Sequence, residues 1–122
     1  MAKFYVQCGQ LNVIVEAMDS QAAAMHLIDS AMEPHLWIYD DAGLSDSDRY
    51  AHVAIEALLS LSAEVTVSER GFHRSDAERF GTPEILSVWH QTLTGLNRLL
   101  RSAGLPPKPL RGSLRSNIAL AS

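Results

Sequence analysis

Thr82-Pro83-Glu84-Ile85-Leu86-Ser87-Val88-Trp89-His90-Gln91-Thr92-Leu93-Thr94-Gly95-Leu96-Asn97-Arg98-Leu99-Leu100-Arg101-Ser102-Ala103-Gly104 has the start, working face and stop of one long helix. Thr82 suits the N-cap, Pro83 the first helical position and Glu84 the positive end of the helix dipole. Leu86, Trp89, Leu93, Leu96, Leu100 and Ala103 recur at spacings of three and four, which lines them up as one apolar stripe. Arg98 and Arg101 fall in the last turns, Gly104 suits the C′ position and Pro106 forbids continuation. About 21 residues at 1.5 Å each make a rod of roughly 31 Å. The reading lays this rod across a sheet with its stripe buried.

The segments before it supply that sheet. Phe4 to Cys8 and Leu11 to Ala17 are rich in β-formers, and the gap between them, Gly9-Gln10, reads as a hairpin turn. Asp19-Ser20 opens a helix that runs to about Met32, where Pro34 biases Glu33 away from helical angles. Leu36-Trp37-Ile38-Tyr39 is predicted to be a third strand, and Asp40 to Gly43 a turn. A second helix is predicted from Arg49 to Ser60, then a fourth strand over Ala63–Glu69. Ser75-Asp76-Ala77-Glu78 fits a capping box, which predicts a short helix before Gly81. The expected fold is a single α+β domain of order β-β-α-β-α-β-α over residues 1–104. Its sheet is mainly antiparallel, with helices on one face. Residues 105–122 are expected to be a basic, proline-containing tail.

A chain of 122 residues with 47% hydrophobic content suits one domain with a real core. The net charge of −4 hides an asymmetry: residues 1–97 hold all 14 acids and carry −9, whereas residues 98–122 hold no acid and carry +5. An acidic body repels phosphate, which weighs against nucleic acid as a partner and leaves only the tail to bind it. The single cysteine, Cys8, has no partner for an internal disulfide and reads as a small hydrophobe in a strand. No apolar run approaches the roughly 20 residues that span a bilayer, and the N-terminus lacks the form of a signal peptide. A cytoplasmic location without membrane contact is therefore expected.

Phe4-Tyr5-Val6-Gln7-Cys8-Gly9, Val67-Ser68-Glu69-Arg70-Gly71-Phe72 and Trp89-His90-Gln91, taken together, resemble a family of small uncharacterised bacterial proteins known mainly from planctomycetes. The likeness spans about residues 3–100. It departs at His73, where the family pattern often carries an acid. What it implies is a compact α+β domain; it implies no activity and no functional residues.

The densest polar cluster runs from Glu69 to Asp76. Arg70, His73, Arg74 and Ser75 within it suit a small anionic ligand, because guanidinium forks grip carboxylate or phosphate and strand-to-helix loops often carry sites. Among the five histidines, His26, His35, His52, His73 and His90, none forms a His-x-x-x-His pair, and no metal or cofactor is expected. Asp40, Asp41, Asp46 and Asp48 lack the ligand order of a calcium loop. Pro106 to Arg111 matches Pro-x-x-Pro-x-Arg and reads as a linker. No catalytic constellation stands out. The first expectation is a non-enzymatic interaction module that self-associates through a helix face, a strand edge or the tail, or binds a protein partner, with Trp89, His90, Lys108, Arg111 and Arg115 as its interaction residues. The second is an anion binder or enzyme built on Glu69–Asp76, and the third is nucleic-acid binding by the tail.

Overall fold

A computed structural model describes residues 1–105 and 118–120 of the chain. It is an α+β domain whose five strands form one antiparallel sheet in the order β4-β3-β1-β2-β5. The strands are β1 (Ala2–Cys8), β2 (Leu11–Ala17), β3 (Glu64–Ser68), β4 (Glu78–Gly81) and β5 (Ile118–Leu120). The helices are α1 (Ser20–Met32), α2 (Asp46–Ser60) and α3 (Thr82–Ser102). The expected Pro-x-x-Pro linker and the tail residues Lys108, Arg111 and Arg115 lie outside the described residues.

The hairpin forms as its sequence dictates. Cys8 pairs with Leu11 and Phe4 with Val15, so Gly9-Gln10 is the turn. Gly9 has φ 62°, a conformation that a side chain makes costly. Alternation then buries Phe4, Val6, Cys8, Val13, Val15 and Ala17 on one face. The Phe4–Gly9 and Val67–Phe72 segments lie side by side here. Tyr5 is opposite Ser68 and Val6 opposite Val67, and the Tyr5 ring meets Phe72 edge-on at 5.1 Å.

The helices cover that buried face, though not as expected. It is α1, not α3, that lies on the strands, and α3 packs on α1 and reaches the sheet at β4. Ala23 and Ala24 explain the order: fully buried and small, they let the α1 backbone come close to the sheet. Asp19 caps α1 by accepting from Ala22 N at 2.8 Å. The stripe on α3 is buried at Leu86, Trp89 and Leu93, half-buried at Leu96 and Leu100, and exposed at Ala103. Its exit is as read: Gly104 has φ 75° and Leu105 N donates to Leu100 O at 2.8 Å. Its entry differs, because Gly81 is the N-cap and the Thr82 hydroxyl instead donates to Ser62 O at 2.7 Å.

Two predicted elements change type. Leu36–Tyr39 is not a strand but the end of a 3-10 helix, Glu33–Tyr39, that continues directly from α1. Pro34 ends the α-helical hydrogen bonding but presets a helical φ, so the chain tightens instead of extending. Arg49 holds the exit of this turn, donating from Nε to Ile38 O at 3.0 Å and from Nη2 to Asp41 O at 2.7 Å. Ile38 and Tyr39 are consequently buried side by side, which strand alternation forbids. The second change is at Ser75–Gly81, where the last four residues form β4 rather than a helix. One isolated turn would leave nucleation uncompensated. Pairing Glu78 with Val67 and Phe80 with Val65 satisfies the backbone of both strands.

The Arg49 contacts yield a prediction. Arg49→Ala is expected to lower stability by about 1–3 kcal/mol in urea denaturation, since two peptide oxygens lose a charged donor. Arg49→Lys recovers less than half of that, because a single ammonium cannot reproduce the fork.

Candidate functional site

The polar residues with buried chemistry converge where the 3-10 helix, the start of α2 and the middle of α3 meet. Ser45 caps α2 with a full capping box, its hydroxyl accepting from Asp48 N and the Asp48 carboxylate accepting from Ser45 N. That fixes Asp46 in the first turn, beside α3. His90 lies on α3 with Nε2 3.2 Å from Asp46 Oδ1 and Nδ1 2.8 Å from the Tyr39 hydroxyl. Tyr50 covers the imidazole at 5.0 Å between ring centroids.

Burial, with the Asp46 carboxylate second, holds the Tyr39 phenol far above its ordinary value, so the phenol keeps its proton. It therefore donates to Nδ1, and the neutral imidazole carries its own proton on Nε2, facing Asp46. Burial also lowers the His90 pKa, opposed by the attraction of Asp46. The order aspartate, histidine, hydroxyl has the form of a proton relay. Its hydroxyl end, however, is only 2% exposed and packs edge-on against Trp89 at 6.0 Å. The cavity beside Tyr39 measures only about 30 Å³, and the chain of bonds fastens three elements together. Arg101 adds a donor to Tyr39 O from the far end of α3.

This corrects one expectation. Trp89 is fully buried and works inside the fold, whereas His90, 5% exposed, also lines a cleft of about 340 Å³ with Asp46, Tyr50 and Gln91.

Arg70, His73, Arg74 and Ser75 do stand together, all exposed, in the loop between β3 and β4. Their charge is already engaged. Arg74 grips both oxygens of Asp76, Nε to Oδ1 at 2.9 Å and Nη2 to Oδ2 at 3.1 Å, and Arg70 Nη1 lies 3.7 Å from Asp76 Oδ2. The Arg74 hydrogen bond lowers the Asp76 pKa, and the same bond raises that of Arg74. The cleft beside Arg70, about 290 Å³, is also lined by Glu69, Asp76 and Glu78, so three carboxylates face one guanidinium. His73, at φ 59°, donates its backbone N–H to Gln7 Oε1 at 2.8 Å.

Two further groupings were invisible in the sequence. An apolar cleft of about 340 Å³ opens between α2 and the start of α3, lined by Ala54, Ala57, Leu58, Leu61, Pro83 and Leu86 among others. On the outer side of α2, ligating atoms of His35, His52 and Glu56 lie within 4.8 Å of one another. His52 and Glu56 are four apart on the helix, a signal that spacing offers; His35 joins them only through the 3-10 turn. No family model, curated protein or solved structure matches the chain.

The depressed pKa of His90 fixes a sign. The unfolded chain takes up the proton near 6.5, before the folded one does, so the His90 contribution is complete above that pH and is lost as pH falls through it. Thermal melts at pH 7.5 and 5.5 are expected to show a drop for the natural chain and a smaller drop for His90→Asn, which keeps an acceptor for Tyr39.

Proposed function

We propose that this chain is a small interaction module that pairs with a second copy of itself through the outward face of α2 and the cleft beside it. The observation that carries the reading is the exposure of three large apolar side chains within two turns: Ile55 at 56%, Leu58 at 81% and Leu59 at 77%. Scattered surface leucines need no explanation, but a contiguous set beside an apolar cleft does. Leu58 both stands out from α2 and lines the cleft. A protruding knob and its hole on one face is what a two-fold contact requires, since each copy then fills the other.

The alternative route, strand-edge pairing at β4, is disfavoured by its own residues. That edge is four residues long and carries Glu78 and Arg79, both exposed. Among the described residues, no helix is long and apolar enough to cross a membrane.

Magnitudes set the expected strength. Six large side chains buried per pair contribute about 1.5–3 kcal/mol each at most. Association costs about 4–15 kcal/mol. The two terms are of similar size, so the pair is expected to be weak and to form only at micromolar to millimolar concentration.

Sedimentation velocity on the full chain, from about 1 µM to several hundred µM, tests this. The mean mass is expected to rise towards that of a dimer. The double substitution Leu58→Glu, Leu59→Glu is expected to remain monomeric with unchanged circular dichroism. A natural chain that stays monomeric throughout, or a double variant that pairs equally well, contradicts the reading.

A further inference from the structure

We infer that His35, His52 and Glu56 form a binding site for a divalent transition-metal ion, zinc by the character of its donors. The 3-10 turn carries His35 to the side of α2 where His52 and Glu56 stand one above the other at i and i+4. One ring nitrogen from each histidine and one oxygen of Glu56 all lie within 4.8 Å of one another.

The geometry is close to what an ion needs. Bonds of about 2.1 Å at tetrahedral angles separate neighbouring ligand atoms by about 3.4 Å. His35 Nε2 and Glu56 Oε2 are already 3.4 Å apart. The His52 nitrogen lies within 4.8 Å of both, so an ion would ask only a small adjustment of its ring.

A second, independent observation points the same way. His52 Nε2 is sealed from solvent and has no hydrogen-bond partner among the described residues. A buried ring nitrogen left without a partner costs about 1–3 kcal/mol. A metal ion held through Nε2 would supply the missing partner. The His52 ring is also held in place, edge-on to Trp37 at 5.7 Å and tilted against His35 at 5.4 Å.

The donor set chooses the class of ion. Two imidazoles and one carboxylate suit zinc and its first-row neighbours, whereas magnesium and calcium want oxygen throughout. Three protein donors leave the fourth corner of the tetrahedron to water or an incoming ligand, as in zinc sites that do chemistry. Trp37, 58% exposed, is the apolar neighbour of the His52 ring.

The test uses the full, tag-free chain after treatment with a chelator. Zinc is titrated against a colorimetric competitor, and cobalt(II) is added separately to read coordination from its visible spectrum. One equivalent of zinc is expected to bind, with cobalt giving the intense bands of a four- or five-coordinate site. Glu56→Gln, whose side chain is partly exposed, and His52→Gln are each expected to weaken zinc at least about tenfold and to abolish the cobalt bands. If His52→Gln fails to fold, Glu56→Gln and His35→Gln decide. The Leu58→Glu, Leu59→Glu chain is expected to bind zinc normally, which separates this site from the pairing face. Unchanged affinity in Glu56→Gln and His35→Gln, an octahedral aquo-type cobalt spectrum, or calcium binding as tight as zinc overturns the assignment.

Discussion

The indole of Trp89 donating to the carboxylate of Asp29, 3.0 Å apart and with both residues fully buried, is the contact on which the architecture turns. A carboxylate out of water costs several kcal/mol unless donors surround it. Asp29 projects from α1, the helix that covers the sheet, and Trp89 from α3, the helix that packs on α1. A slide or rotation of either helix would break this bond inside the core. Apolar packing through Leu27, Ile28, Leu86 and Leu93 supplies the larger attraction, but it is tolerant of small shifts. The hydrogen bond selects one alignment from those that packing allows.

That alignment propagates outward. Tyr39 rests edge-on against Trp89, and its hydroxyl begins the line through His90 to Asp46 at the head of α2. Arg49, one turn further along α2, reaches back to the carbonyls that end the 3-10 helix. α2 is therefore pinned at its first turns by polar contacts, while Val53 and Ala57 anchor it by burial. The rest of its surface is left to other purposes: Ile55, Leu58 and Leu59 face outward, and His52 and Glu56 meet His35. Both functional readings depend on α2 standing where the central contact places it.

Much of this was legible in the sequence where local chemistry decides. The long C-terminal helix, the hairpin at Gly9-Gln10 and the helix that opens at Asp19-Ser20 are each legible in residues close together in the chain, and they stand in the structure. The errors arose where distant residues intervene. Leu36–Tyr39 has strand-like composition, but Arg49 satisfies the carbonyls of a 3-10 turn there. Ser75–Glu78 has the letters of a capping box, but Arg74 takes Asp76 and the open edge of β3 recruits Glu78–Gly81. The candidate site followed the same rule. Arg70, His73 and Arg74 are neighbours in sequence, yet the engagement of Arg70 and Arg74 by Asp76 is a matter of side-chain geometry. His35 joins His52 and Glu56 only once the misread turn takes its true shape, so spacing between histidines gave no signal.

A double-mutant cycle on Asp29 and Trp89 tests the central claim most directly. Asp29→Ala, Trp89→Phe and the combined variant are compared with the natural chain by equilibrium unfolding in urea. The account predicts that each single change destabilises, and that the pair is less damaging than the sum by about 1.5–3 kcal/mol. Strict additivity, within about 0.5 kcal/mol, would show that the two side chains do not act together and would contradict it.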